Sequence, residues 1–305
     1  MARVKIGTRG SKLALAQAHE TRDRLMAAHG WAEEDIEIVI IRTTGDAVQD
    51  RPLAEIGGKG LFTKEIEEAL LDGRIDIAVH SMKDVPAFLP EGLAIAACLP
   101  REDVRDAFLS PVAKTIDDLP EGARVGTSSV RRAAQLLARR PDVRIVPFRG
   151  NVDTRLRKLE EGVADATFLA CAGLNRLGLA DRVTWPVPVD VMLPAIAQGA
   201  IGLEIREDDD ATREMILPLD DGRTRLAVTA ERGFMAELEG SCRTPLAAHA
   251  TVSETGELHL VCEALTLDGR RRWRTERTGS AAEAEALGRD AGRQIRAEAG
   301  NALPL

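Results

Sequence analysis

The stretch Val79-His80-Ser81-Met82-Lys83-Asp84-Val85-Pro86 decides how this sequence is interpreted. It continues an apolar run at residues 75–79, which predicts a buried strand, and it replaces that run abruptly with polar and ionisable side chains. In an open α/β sheet, ligands bind in the crevice beyond the carboxyl ends of the strands. The pattern therefore places Lys83 and Asp84 at the mouth of a cleft, where the ammonium group can hold an anion and the carboxylate can accept N–H hydrogen bonds.

Strand and helix patterns alternate on both sides of this stretch. One block begins with a strand at 4–8 and a helix at 11–29, and a second block fills residues 124–170 in the same way. Such alternation is typical of mainly parallel sheets. From residue 224 the pattern changes to one helix, three antiparallel strands and a closing helix. We therefore predict an α/β fold with two hinged, binding-protein-like doubly wound lobes plus a small C-terminal α+β domain.

The predicted domain boundaries follow from these blocks. Residues 1–98 and 200–217 form the first lobe, 99–199 form the second lobe, and 218–305 form the C-terminal domain. The chain crosses between the lobes twice, which leaves a cleft between them. Clefts between domains are favoured ligand sites.

Composition limits the possible function classes. The chain has 305 residues and a net charge of −8, which disfavours nucleic acid as a general partner. No apolar run is long enough to span a bilayer, so we expect no membrane partner. The first residues enter a strand pattern directly, without a signal or transit pattern, and we therefore expect a cytoplasmic protein.

The four cysteines, Cys98, Cys171, Cys242 and Cys262, are widely spaced and contain no Cys-x-x-Cys pair. This spacing argues against a zinc site and against a disulfide framework, and we expect no metal. Cys242 differs from the others because it lies in the turn Glu239-Gly240-Ser241-Cys242-Arg243-Thr244-Pro245. A lone loop cysteine is more often incidental than reactive, so these residues alone do not make Cys242 a nucleophile.

Arginine supplies 34 of the 41 basic residues, and its positions are more informative than its number. Arginines occur where predicted strands end and helices begin, namely at Arg9, Arg131, Arg132, Arg149, Arg155 and Arg176. Free backbone N–H groups at such helix starts attract anions, and the arginines add to that attraction. The sequence therefore predicts a cleft with a local positive potential that binds a polyanion, although the whole chain is acidic.

The polyanion can be a phosphate or a carboxylate ligand. No Gly-x-x-x-x-Gly-Lys-[Ser/Thr] loop is present, and Gly57-Gly58-Lys59-Gly60 has no strand before it, so the nucleotide signal is weak. The glycine-rich segment is better interpreted as a mobile flap. Carboxylates match the planar guanidinium group equally well.

Eight motifs, in order along the chain, resemble those of the porphobilinogen deaminase family. They are Thr8-Arg9-Gly10-Ser11, residues 57–62, 79–86, 126–132 and 149–155, Ala172-Gly173-Leu174-Asn175-Arg176, Ala197-Gln198-Gly199-Ala200, and residues 239–245. The resemblance extends from Ile6 to about Ala248. It implies a transferase that condenses four porphobilinogen molecules head to tail, releases ammonia each time, and frees hydroxymethylbilane by hydrolysis. It also implies a dipyrromethane cofactor that Cys242 holds through a thioether.

The resemblance implies a role for each residue that matches a motif. Cofactor binding falls to Ser81, Lys83, Asp84, Thr127, Ser129, Arg131 and Arg132, and substrate binding to Arg9, Ser11, Arg149, Arg155, Arg176 and Gln198. Lys59 and Phe62 belong to a flap that, with residues 43–60, covers the cleft. Asp84 is the expected catalytic residue, because a carboxylate near the pyrrole N–H groups stabilises the cation that ammonia leaves behind.

A non-catalytic, two-lobed protein that binds a carboxylate solute is the alternative function class. An export signal, which such a protein needs, is missing from the sequence, and a third domain offers a cysteine. A phosphate-binding transferase that uses residues 57–60 lacks the supporting motif. We expect a monomer with porphobilinogen as its small-molecule partner.

Overall fold

The computed structural model describes residues 2–47, 62–240 and 244–303, and within them the strands form three sheets. The first sheet contains β1 (Val4–Thr8), β2 (Ile36–Ile40), β3 (Ile77–Ser81), β4 (Leu93–Cys98) and β10 (Ile201–Arg206). Their order is β2-β1-β3-β10-β4, and β1 is parallel to both of its neighbours, whereas β10 is antiparallel to β3 and β4. The helices of this lobe are α1 (Lys12–His29), α2 (Thr44–Ala47), α3 (Lys64–Leu71) and α7 (Asp210–Ile216).

The second sheet contains β5 (Asp106–Leu109), β6 (Arg124–Gly126), β7 (Arg144–Val146), β8 (Ala166–Ala170) and β9 (Trp185–Pro186). Their order is β7-β6-β8-β5-β9, with β6 parallel to β7 and β8 and with β5 antiparallel to β8. The helices of this lobe are α4 (Val130–Arg139), α5 (Val152–Glu160) and α6 (Cys171–Arg176).

The third sheet is antiparallel and contains β11 (Leu246–Val252), β12 (Glu257–Leu265) and β13 (Arg272–Ser280). It shares one core with α8 (Gly222–Glu237) and α9 (Ala284–Ala299). Short 3-10 turns lie at Glu33–Asp35, Met82–Asp84, Ala180–Arg182, Leu217–Leu219, Ala281–Glu283 and Gly300–Ala302. The predicted fold class is confirmed: two doubly wound α/β lobes and a small C-terminal α+β domain.

Strand β3 ends later than the sequence pattern indicated. The apolar run predicted a strand at residues 75–79, but β3 spans Ile77–Ser81. Its last residue, Ser81, pairs with Ile201 of the antiparallel strand β10. Because that partner comes from 120 residues further along the chain, no local pattern could show the extension. The 3-10 turn that carries Lys83 and Asp84 therefore begins directly at the end of the sheet.

One buried carboxylate joins both segments that cross between the lobes. Glu231 of α8 is fully buried and accepts two hydrogen bonds from Arg101, at 2.7 and 3.0 Å. It also accepts from the backbone N–H groups of Ala197 (2.6 Å) and Ala250 (2.7 Å). Arg101 lies in the first crossing and donates to the carbonyl of Gln198 in the second, at 2.9 Å. The lobes and the C-terminal domain therefore meet at a single anion whose burial is compensated by four donors.

Helices α8 and α9 approach each other closely because glycines face the contact. A Cβ added at Gly288 of α9 would overlap the carbonyl oxygen of Ala230 and lie 2.9 Å from the amide nitrogen of Phe234, both in α8. A Cβ added at Gly233 of α8 would likewise lie only 2.7 Å from the carbonyl oxygen of Glu285. No helix within the described ranges is long and apolar enough to cross a membrane.

We predict that Gly288→Ala destabilises the protein by about 1–3 kcal/mol, because the new methyl group overpacks a contact formed by backbone atoms. Gly222→Ala is the matched control, since a Cβ there meets no atom within 4 Å and alanine favours the helix by about 0.5–1 kcal/mol. Urea unfolding of both variants measures the difference. Equal midpoints for the two variants would contradict the packing argument.

Candidate active site

The first lobe contributes a cavity where β1 and β3 end. Its walls include six of the predicted site residues: Arg9, Ser11, Phe62, Ser81, Lys83 and Asp84. The guanidinium Nη1 of Arg9 lies 3.8 Å from Oδ2 of Asp84, and its carbon atom stands 4.2 Å from the centre of the Phe62 ring. Asp84 keeps about a third of its side-chain surface exposed, at 35%. A cation, a carboxylate and an aromatic ring therefore share one cavity.

Helix α1 supports this wall through its N-terminus and one buried glutamine. Ser11 caps the helix by accepting from the N–H of Ala14 at 3.2 Å. Gln17, which is buried in the second turn, donates to Oγ of Ser81 at 2.8 Å and accepts from it at 3.1 Å. This double hydrogen bond fixes the hydroxyl group at the end of β3.

The second lobe contributes a buried cluster around Asp106, at the start of β5. Both oxygens of Asp106 accept from Arg131, at 2.7 and 3.2 Å, and Oδ1 also accepts from Arg132 at 2.7 and 3.1 Å. Gln198 adds a donor at 3.1 Å. Burial alone would raise the pKa of Asp106, but the charges and hydrogen bonds of Arg131 and Arg132 outweigh it and hold the pKa well below its usual range.

The two arginines of α4 are oriented differently from the sequence-based expectation. Arg131 and Arg132 occupy the first turn of the helix, yet their side chains point inward to Asp106 and to carbonyl oxygens rather than to the helix start. Ser129 caps α4, and its Oγ accepts the N–H of Arg132 at 3.4 Å. Thr127 is buried and accepts the N–H of Ser129 at 3.1 Å. The pair of cations with one anion keeps a net positive charge.

Arg149 and Arg155 flank the start of α5. The Nε of Arg155 donates to the carbonyl of Gly150 at 2.9 Å, and the buried Nη1 of Arg149 has no hydrogen-bond partner within the described ranges. Burial lowers the pKa of Arg155 to about 10; Arg132 and Arg149 add to the lowering, and Asp84 opposes it. The charge of Asp84 in the first lobe therefore acts on Arg155 in the second.

Lys83 is influenced by charged side chains of both lobes. Solvent reaches its side chain, but the surrounding protein removes hydration from the ammonium group and lowers its pKa to about 8. The charge of Asp84 opposes the lowering, while those of Arg132 and Arg131 add to it. The ammonium form is therefore present below about pH 8 and is lost as the pH rises through that value.

Two further predicted substrate-binding residues, like Arg149 and Arg155, do not line the first-lobe cavity. Arg176 pairs with Glu20 of α1 at 3.2 Å and donates to the carbonyl of Gly199 at 3.1 Å. Gln198 is buried beside Asp106, and its Oε1 has no hydrogen-bond partner in the described part of the chain. Arg176 thus joins the first lobe to the second crossing segment, and Gln198 joins that crossing to the arginine cluster.

The predicted cofactor cysteine, Cys242, and the predicted flap residue Lys59 lie outside the described residues. The other three cysteines are free and buried. Burial raises the pKa of Cys98 and Cys171 to about 12, so these thiols are poor nucleophiles at neutral pH. Among the residues that the structure describes, no group of three or more His, Cys, Asp or Glu side chains is arranged to hold a metal ion.

Two important side chains were not predicted from the sequence. Asp106 begins the apolar strand Asp106–Leu109, and a carboxylate at the start of a buried strand was the only local signal that it requires a cationic partner. Gln17 is a polar residue among the buried positions of α1, which include Ala14, Ala18 and Thr21. In both cases the partner is distant along the chain, so the role becomes visible only in the fold.

The described side chains fit a dipyrromethane, whose pyrrole rings carry acetate and propionate groups. The buried Nη1 of Arg149 and Nε of Arg131 lack hydrogen-bond partners in the described ranges, and both are donors suited to a carboxylate. Lys83 adds an accessible ammonium group. A ligand with several carboxylates would satisfy donors that the protein itself leaves free.

Fold and site together define a two-lobed α/β protein in which the Asp84 carboxylate lies beside cationic side chains that are suited to carboxylate ligands. Two family models match the chain: "Porphobilinogen deaminase, dipyromethane cofactor binding domain" at residues 4–214 and "Porphobilinogen deaminase, C-terminal domain" at residues 225–297. The chain belongs to the porphobilinogen deaminase family. It is a transferase of tetrapyrrole biosynthesis with a dipyrromethane cofactor, as the resemblance of its motifs implied.

Curated relatives support this assignment over nearly the whole chain. The porphobilinogen deaminase of Paracoccus denitrificans is 58% identical over 97% of this chain and 94% of its own length. The chloroplastic porphobilinogen deaminase of Oryza sativa is 54% identical over 97% of this chain and 84% of its own length. Among solved structures, a periplasmic substrate-binding protein of an ABC transporter from Coxiella burnetii is 14% identical, covers 75% of this chain and 96% of its own, and has a TM-score of 0.45.

We predict that Asp106→Asn costs about 3–5 kcal/mol of stability at pH 7, because it leaves two buried guanidinium groups without their anion. Since the pKa of Asp106 is depressed in the folded state, its contribution is complete above the unfolded value near 3.8 and is lost progressively as the pH falls from there through the much lower folded pKa. Urea unfolding should show the same difference between wild type and variant at pH 7 and pH 5, and a smaller difference at pH 3, where this loss has begun. A constant difference across that range would refute the assignment.

Proposed function

We propose that Asp84 is the catalytic residue of this deaminase and that the cations of both lobes hold the carboxylates of porphobilinogen and of the growing chain. The proposal is supported above all by one observation: Asp84 lies 3.8 Å from Arg9 in the first-lobe cavity. Its charge also acts on Lys83 and on Arg155 of the second lobe. A carboxylate in that position can act on a substrate whose own carboxylates are held on either side.

The substrate requires both kinds of group. Each porphobilinogen carries an acetate, a propionate and an aminomethyl group. Each condensation breaks the carbon–nitrogen bond to ammonia, forms a carbon–carbon bond to the free α-carbon of the terminal pyrrole, and releases the proton that this carbon carried. The departing ammonia takes the electron pair, and positive charge is left on the pyrrole. We propose that Asp84 accepts the pyrrole N–H hydrogen bonds and stabilises this charge from a fixed position, which is more effective in a partly dry cleft than in water.

The proposed binding residues divide into two sets. Ser81, Lys83, Asp84, Thr127, Ser129, Arg131 and Arg132 contact the cofactor, and Arg9, Ser11, Arg149, Arg155, Arg176 and Gln198 contact the substrate. The dipyrromethane supplies the terminal pyrrole carbon from which the chain grows. Asp106 neutralises part of the charge of Arg131 and Arg132, so that these guanidinium groups stay fixed before a ligand carboxylate arrives.

Phe62 and Lys59 are proposed to cover the cleft with residues 43–60. Phe62 already stands against Arg9 at the cavity wall. An apolar ring at this position excludes water from the reacting groups and so strengthens their electrostatic interactions.

The proposed domain boundaries are 1–98 with 200–217, 99–199, and 218–305. All strands of the first sheet, including β10, fall in the first set, and those of the second and third sheets fall in the other two ranges. The third range contains Cys242, the proposed attachment site. We also propose a cytoplasmic enzyme without a nucleic-acid partner, consistent with the free buried cysteines in the described ranges and with the net charge of −8.

A monomer is the proposed oligomeric state. The most exposed large apolar side chains of the described residues are spread over both lobes and the C-terminal domain: Ile40, Leu71, Phe88, Val112, Val163, Leu217 and Leu267. Single exposed apolar residues are normal on a monomer.

Intact mass of the purified, denatured protein tests the proposed cofactor attachment. Wild type should exceed the mass of its sequence by two porphobilinogen units less two ammonia molecules, and Cys242→Ser should have the unmodified mass. If wild type is unmodified, incubation with porphobilinogen should add the cofactor to it and not to the variant. The same excess in both proteins, or none after incubation, contradicts attachment at Cys242.

We predict that Asp84→Asn keeps its fold and cofactor but loses about 10²–10³-fold in kcat, because it removes a preorganised counter-charge. Asp153→Asn is the control, since Asp153 pairs with Lys12 in an exposed contact that contributes little. Product formation from porphobilinogen measures both variants. Near-normal turnover by Asp84→Asn would exclude Asp84 from the role.

A further inference from the structure

A buried hydrogen-bonded pair lies directly behind the catalytic turn. Nε2 of His80 is 2.9 Å from Oε2 of Glu204, and the two residues are 5% and 0% exposed. His80 is in β3 and Glu204 in β10, where Gly202 pairs with His80. Glu204 is therefore the diagonal neighbour of His80 across an antiparallel pair. His80 also lines the cavity that contains Arg9 and Asp84.

Further charged groups from other elements face this pair. Glu67 of α3 is buried, and burial raises its pKa; Thr63 opposes this shift, and the charge of Glu204 adds a smaller contribution to it. Arg232 of α8 has its pKa lowered by burial, and Glu204 opposes the lowering. Oε1 of Glu204 has no hydrogen-bond partner in the described part of the chain. Of these groups, only His80 of β3 is hydrogen-bonded to Glu204, whereas Glu67 of α3 and Arg232 of α8 are influenced by its charge.

The same groups hold the chain on both sides of Asp84. Before the turn, His80 is bonded to Glu204, and the N–H of Met82 donates to the carbonyl of Ala200 at 3.0 Å. After the turn, Arg232 donates to the carbonyls of Val85 (3.2 Å) and Pro86 (2.7 Å). The position of the Asp84 carboxylate therefore depends on two anchors, one on each side of the turn: the hydrogen bond between His80 and Glu204, and the hydrogen bonds of Arg232 to the backbone.

Stability does not account for this arrangement. Burying two hydrogen-bonded polar side chains costs solvation free energy, and replacing both partners by apolar groups of similar size is often neutral. A displacement of about 1 Å in a catalytic group, in contrast, can lower the rate about 10²-fold. The buried pair of His80 and Glu204 lies next to Asp84, where a small displacement would lower the catalytic rate.

We propose that His80 and Glu204 are positioning residues for the deaminase reaction: their hydrogen bond fixes the end of β3 so that the Asp84 carboxylate is directed at the reacting pyrrole. The inference rests on the proposed role of Asp84. His80 and Glu204 act on the Asp84 carboxylate through the backbone of residues 81–84.

Two substitutions of similar volume separate the hydrogen bond from simple space filling. His80→Leu removes the donor, whereas His80→Gln keeps an amide donor on the same strand. We expect His80→Leu to lose about 10- to 100-fold in kcat, with KM changed less than about twofold, and His80→Gln to retain most of the wild-type kcat. Equal values for the two variants, whether high or low, would overturn the proposal.

Amide hydrogen exchange gives a readout independent of turnover. In His80→Leu, residues 79–86 should exchange faster than in wild type and in His80→Gln, while intact mass shows the cofactor still bound. Glu67→Gln is the control for a lost carboxylate beside the pair, and it should leave kcat unchanged. Unchanged exchange in His80→Leu would overturn the proposal.

The double variant His80→Leu with Glu204→Leu covers the case in which His80→Leu alone does not fold. Removing both partners avoids an unpaired buried charge, so this variant should fold and show the same loss of kcat. Wild-type kcat in it, or failure of this variant to fold as well, overturns the proposal, because the pair would then be dispensable or a requirement of the fold. Normal turnover by Asp84→Asn would instead reject the role of Asp84 itself, which distinguishes the two failures.

Discussion

The structure depends on the burial of the Glu231 carboxylate at the point where both lobes and the C-terminal domain meet. Its two oxygens accept four hydrogen bonds, two from Arg101 and one each from the backbone of Ala197 and Ala250. Ala197 has a φ of +59°, which a residue with a Cβ rarely adopts, and the bond to Glu231 holds its N–H in place. Because a buried carboxylate without donors is very unfavourable, any arrangement that separates these parts loses several bonds at once.

A second buried anion explains how an acidic chain contains a cationic cleft. Asp106 fixes Arg131 and Arg132 without neutralising both, and Gln198 links this cluster to the crossing segment that Glu231 holds. The cleft cations therefore do not move independently of the lobe connection. Lys83, whose pKa is lowered because the surrounding protein removes hydration from its ammonium group, and Arg155, whose pKa is lowered by burial, complete a site where the protein leaves positive charge available for a ligand.

The sequence predicted the part of the site that local patterns encode. Strand ends followed by polar side chains indicated Lys83 and Asp84, which line the first-lobe cavity, and arginines at helix starts indicated cations that the structure places in the first turns of α4 and α5. The orientation of Arg131 and Arg132 was not predictable, because it is set by Asp106, which precedes them by 25 and 26 residues. The same holds for the end of β3, which β10 determines, and for the hydrogen bond between His80 and Glu204. The role of Cys242 came from the resemblance alone.

The junction at Glu231 also constrains how this sequence can vary. Arg101, Ala197, Glu231 and Ala250 are far apart in the chain but share one set of hydrogen bonds, so a change at one of them alters the environment of the others. Exchange of the C-terminal domain between related enzymes therefore transfers only part of a junction whose remaining donors stay behind. Chimeric enzymes will keep the geometry of this junction only where the exchanged segments carry compatible residues at all four positions. The boundary between the domains is therefore a poor place to recombine sequences.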